Sequence, residues 1–109
     1  MNPSQPFMLL RARLKPDAKP GFGAWFRTVH LQDVRRIPGI SEAQGAVTPD
    51  GTRLGFYSFA DGDAMQGALS SPEAAYARGT WEQWAAELEE LGFEIWAPLG
   101  PLPMYHPPN

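Results

Sequence analysis

The stretch FGAWFRTVHLQDVRRIPG, residues 22–39, decides how this chain folds. At roughly 100° per residue, Phe22, Trp25, Phe26, Val29 and Ile37 share one arc of a helical wheel, Asp33 falls inside that arc and His30 lies at its edge. Pro38-Gly39 stops the helix, because proline cannot continue it and glycine accepts the left-handed turn that follows. A carboxylate on a buried face needs a donor, and residues three apart on a helix can touch. The spacing therefore predicts a hydrogen bond between His30 and Asp33, with Arg36 or a loop amide as the alternative partner of the carboxylate.

On the N-terminal side of this helix, residues 7–14 alternate. Met8, Leu10, Ala12 and Leu14 take one face of a strand, and Phe7, Leu9, Arg11 and Arg13 take the other. Beyond it, residues 40–48 and 53–60 read as two strands joined through Pro49-Asp50-Gly51-Thr52, a tight-turn sequence that predicts an antiparallel hairpin. Residues 61–70 form a short helix with Met65, Ala68 and Leu69 as its apolar stripe. Ser71 then caps a longer one with Pro72 in its first turn. On the wheel of this second long helix, Ala74, Ala77, Trp81, Trp84, Ala85, Leu88 and Leu91 share an arc, Gly92 ends it, and residues 93–97 supply a fourth strand.

The order is βαββαβ. It predicts an α+β, ferredoxin-like domain in which both long helices cover one face of a four-stranded antiparallel sheet. Phe7, Leu9, Tyr57, Phe59 and Trp96 cannot all lie beneath two helices, so the bare face is expected to meet a second copy of itself in a homodimer. The tail, residues 98–109, carries Pro98, Pro101, Pro103, Pro107 and Pro108 among Leu99, Leu102, Met104 and Tyr105, and reads as an extended strap. With 109 residues, 43% of them hydrophobic, the chain is read as a single domain.

Composition excludes several function classes. A net charge of −3 with interspersed signs gives no nucleic-acid surface, and the absence of cysteine rules out disulfides, thiolate nucleophiles and iron–sulfur clusters. No apolar run approaches the ~20 residues of a membrane span and no leader is evident, so a soluble cytoplasmic protein is expected. Gly21-Phe22-Gly23 opens like a dinucleotide-binding loop, but Phe26 stands where the last glycine should be.

Trp25-Phe26, His30-Leu31-Gln32-Asp33-Val34 and Pro38-Gly39, followed by a strand pair and then Ser71-Pro72-Glu73-Ala74, resemble the dimeric α/β-barrel superfamily, within it the EthD-like and antibiotic-biosynthesis-monooxygenase-type small proteins. The resemblance implies homodimers whose sheets close into a barrel, with a cavity in each protomer between sheet and helices. The implied activities include cofactor-free oxygenation, isomerisation and cyclisation of aromatic or lactone-like metabolites. No cofactor or metal is expected: of the residues able to ligate iron, the chain offers His30 and a tail residue, His106, and so departs from the haem-using members.

Within that frame His30 is the candidate general base, Asp33 its orienting partner, and Tyr57 or Arg11 the group that stabilises negative charge. Trp25, Phe26, Trp81 and Trp96 are candidate walls for a flat aromatic substrate, joined by Trp84. Each has a plainer reading. A histidine at the border of a buried helix face is often a satisfied core residue, strand arginines commonly pair with acids, and Trp81 and Trp84 coincide with the alanine and leucine stripe of their helix. A non-catalytic metabolite-binding or accessory dimer is the alternative function.

Overall fold

The computed structural model describes residues 5–97. Strand β1, Phe7–Leu14, leads into helix α1 over residues 22–35. The hairpin of β2, Ile40–Val47, and β3, Arg53–Phe59, follows. Helices α2, Gly62–Leu69, and α3, Pro72–Gly79, then a 3₁₀ segment, Thr80–Glu87, lead into β4, Leu88–Trp96. The strands form one antiparallel sheet in the order β2-β3-β1-β4, a ferredoxin-like α+β arrangement. The strap expected at residues 98–109 lies outside the described residues.

Local chemistry sets the element ends. Gly39 leaves α1 at φ +97°, and a Cβ there would stand 2.8 Å from the Ala64 carbonyl oxygen, so a larger residue would be both strained and blocked. In the hairpin turn the Asp50 carboxylate accepts from the Thr48 hydroxyl and the Thr52 amide, which together hold its pKa down at about 2. Asp61 and Ser71 cap α2 and α3 by accepting from the amides of Ala64 and Ala74.

Two expectations change. The second long helix does not run to residue 91; it ends at Gly79, and β4 begins at Leu88 rather than at residue 93. Residues 88–96 pair with the whole of β1; Glu89 and Glu90, expected on the polar face of a helix, instead meet Arg13 at 3.1 and 3.6 Å, and Glu94 meets Arg11 at 3.3 Å. An antiparallel ladder along all of β1 outweighs the helical preference of a short Glu- and Leu-rich segment. Helix α1 also departs from a uniform wheel, because residues Phe26–His30 form a π-helical turn. The wider turn adds one residue before the buried face returns. Val29 is therefore exposed, whereas His30, Leu31 and Val34 face inward.

The register assigns the faces. Met8 pairs with Tyr57 and Leu10 with Gly55, so Tyr57 and Phe59 lie under the helices with Leu10 and Ala12. Phe7 pairs with Trp96 on the opposite face, where their rings stack at 5.8 Å. On the helix side of the edge strand β4, Leu91, Phe93 and Ile95 remain 40–54% exposed, because the helices do not reach that edge. Phe22, Trp25 and Phe26 of α1 pack with Trp81 and Trp84 into an aromatic cluster at one end of the core, with Trp25 meeting Trp81 edge-on at 5.0 Å. No helix among the described residues is long and apolar enough to cross a membrane.

Candidate active site

Between the sheet and the helices lies a cavity of about 170 Å³. Met8, Leu10, Tyr57 and Phe59 form its floor, His30 and Val34 one wall, and Ala77 and Trp81 another. Among the described residues, its polar lining is confined to His30, Tyr57 and Arg78. Two lining residues, Phe93 of the edge strand and Arg78 of α3, are exposed, so the hollow reaches the surface between β4 and α3.

His30 is 3% exposed, and its Nε2 lies 2.6 Å from the Tyr57 hydroxyl. The π-helical turn brings the imidazole to this position: it ends at His30 and turns that residue, rather than Val29, toward the sheet. Gly55 makes the phenol's position possible. It precedes Tyr57 by two residues on the same face of β3, and a Cβ there would stand 2.6 Å from the tyrosine Cζ. The ring of Tyr57 thus lies back across the glycine and carries its hydroxyl to the imidazole.

The rest of the imidazole is enclosed by aromatic rings. Trp25 stacks on it at 5.6 Å, and Phe26 and Trp81 approach at 5.2 and 4.9 Å. This apolar surround lowers the His30 pKa from 6.5 to about 4, and burial pushes the Tyr57 phenol above its ordinary range. Both groups are neutral at pH 7. His30 Nδ1 is buried without a hydrogen-bond partner among the described residues. When Nε2–H donates to the Tyr57 oxygen, the phenol O–H is free to donate elsewhere and Nδ1 keeps an uncommitted lone pair. The pair then keeps one acceptor and one donor unused inside the fold.

The expected bond between His30 and Asp33 is not formed. Asp33 is buried but accepts from Arg36 at 3.3 Å, the alternative partner, and borders a separate groove with Pro72, Glu73 and Tyr76. The π-helical turn points His30 at the sheet while Asp33 faces α3, so neither can orient the other. Arg11 and Trp96 are also away from the cavity. Both belong to the opposite sheet face, where Arg11 pairs with Glu94 and Trp96 lies against Phe7. Of the aromatic candidates, Trp81 lines the cavity, Trp25 and Phe26 touch the imidazole, and Trp84 packs in the core. Arg78 and Phe93 carry no sequence signal of a site, since an exposed helix arginine and a strand phenylalanine are ordinary residues.

No family model and no curated protein sequence matches the chain. Solved structures do match. An ethyl tert-butyl ether D (EthD) family protein from Bacillus halodurans superimposes at TM-score 0.66 with 19% identity, over 84% of this chain and 96% of that one. SnoaB, a cofactor-independent oxygenase from Streptomyces nogalater, gives 0.63 and 17% over 92% and 98%. A candidate antibiotic biosynthesis monooxygenase from Nitrosomonas europaea gives 0.65 and 15% over 93% and 96%. The chain shares the ferredoxin-like fold of these proteins. At these identities the likeness concerns the path of the chain, and the chemistry has to be argued from the residues within it.

Proposed function

We propose that this chain is a homodimeric, cofactor-independent enzyme of oxygenase, isomerase or cyclase type that acts on an aromatic or lactone-like metabolite held in the cavity. The observation that carries the proposal is the buried His30–Tyr57 hydrogen bond in the wall of a hollow that, Arg78 at its mouth apart, is apolar. His30 accepts a proton from the substrate, and Tyr57 donates to the oxygen on which negative charge develops. Trp25 and Phe26 hold the imidazole, and Trp81 holds the substrate. The neighbouring fold of a cofactor-independent oxygenase is consistent with this chemistry.

The lowered basicity of His30 narrows the reaction. An imidazolium of pKa about 4 facing a phenol of ordinary pKa leaves a gap of about six units, roughly 8 kcal/mol. Proton transfer is therefore practicable only where the substrate anion is strongly delocalised, or where it stays paired with the imidazolium in the water-poor cavity. Enolisable and phenolic compounds with conjugated carbonyls meet that condition; simple alcohols do not.

A panel of phenols, aromatic acids and lactones, incubated in air with a chelator, tests the proposal through product formation and a thermal-shift response. Ala77→Phe, which places a ring in the hollow, should abolish both responses while the far-ultraviolet spectrum remains native. Unchanged turnover in that variant would place the chemistry elsewhere. Binding without conversion across the whole panel would favour the metabolite-binding alternative.

The dimer rests on the opposite sheet face. There Phe7, Leu54, Phe56 and Trp96 present apolar surface with no helix of the described residues above it, while Arg11 and Arg13 are neutralised by their glutamates. Light scattering at micromolar concentration is expected to give twice the protomer mass, and a monomer there would remove the dimer from the proposal.

A further inference from the structure

Arg78 is the one formally charged group at pH 7 among the described residues lining the cavity, and it stands where the hollow meets the surface. Its Nη1 donates to the Leu69 carbonyl at 3.3 Å, which ties the last turn of α3 to the end of α2 and fixes where the guanidinium sits. That bond uses one of five N–H donors. Arg11, Arg13 and Arg36 each have an acidic partner, but no ion pair among the described residues involves Arg78. The remaining donors form a fork suited to a carboxylate. Behind it the hollow is apolar as far as the His30–Tyr57 pair, and about 170 Å³ is the scale of one six-membered ring, since a cavity of about 150 Å³ accepts benzene.

We infer that Arg78 is a specificity-determining residue that selects single-ring organic carboxylates, holding the carboxylate at the cavity mouth while the ring lies against Trp81 and faces His30 and Tyr57. The inference rests on the proposed reading of the cavity as a ligand site and adds to it the size and charge of the ligand. A neutral ring fills the same space but leaves the guanidinium to water. A ring bearing a second cation is repelled at the mouth. Fused polycyclic substrates extend past Phe93 into solvent and lose the enclosure.

Calorimetric titration with benzoate and its neutral isostere benzamide, on wild type, Arg78→Gln and Arg78→Lys, separates the two claims. Because the side chain is exposed, these substitutions leave the core intact. Benzoate is expected to bind wild type more tightly than benzamide, to weaken about five- to tenfold in Arg78→Gln, and to recover partly in Arg78→Lys. Benzamide should bind all three alike, and only the benzoate affinity should fall as salt is raised. Equal affinities for the two probes in wild type, or equal losses on substitution, would overturn the selection while leaving the cavity as a ligand site. Failure of both probes to bind wild type would overturn the cavity reading and the inference together.

Discussion

Replacing His30 with Gln is expected to lower turnover of a converted substrate 100- to 10,000-fold, the usual range for removal of a positioned proton acceptor. Glutamine keeps a polar group near Tyr57 but cannot take a proton, so the loss should fall on kcat more than on KM. Tyr57→Phe removes the other half of the 2.6 Å hydrogen bond and should cost turnover as well. Because the two groups act through one shared bond, the double variant should be little worse than His30→Gln alone. Full additivity of the two losses, or wild-type turnover in a folded His30→Gln protein, would refute the paired mechanism.

Acidification below about pH 6.5 should weaken the fold through His30. In the unfolded chain the imidazole of His30 takes a proton below about pH 6.5, but in the fold only below about 4. Between these values unfolding takes up a proton, so stability is complete above the upper value and is lost as pH falls toward the lower one. The difference of about 2.5 units corresponds to about 3 kcal/mol, a large part of the stability of a domain this size. Urea unfolding of wild type and of His30→Gln at neutral pH and at about pH 4.5 would measure it, since the variant lacks the titrating group. The wild type should lose more than 2 kcal/mol relative to the variant over that interval. Parallel losses in both proteins would mean that burial of the imidazole does not govern the acid response.

Much of the architecture is legible in local chemistry. The alternation of residues 7–14, the turn at Pro49-Asp50-Gly51-Thr52 and the Ser71-Pro72 cap each act over a few residues, and each occurs where the pattern places it. The segment after Gly79 is not legible this way. Leu88 and Leu91 fit a helical arc, and only pairing with β1, more than seventy residues away in the chain, makes them strand. The site shows the same division. His30 stands out because histidine is rare here, but its partner Tyr57 lies 27 residues away and is reached only through the register of β1 with β3. The association with Asp33 assumed an unbroken 3.6-residue period, which the π-helical turn interrupts. Arg78 emerges only when α2, α3 and β4 have closed around the hollow.

Phe93 belongs at once to the outermost strand of the sheet among the described residues and to the rim of the hollow. Any chain that adds a strand along β4 must also stand beside the doorway, so assembly at that margin and the affinity for a bound molecule are thermodynamically linked. A guest that favours the covered doorway tightens the assembly by the same factor by which assembly retains the guest. Apparent ligand affinity would then depend on protein concentration, a behaviour that a site uncoupled from assembly would not show.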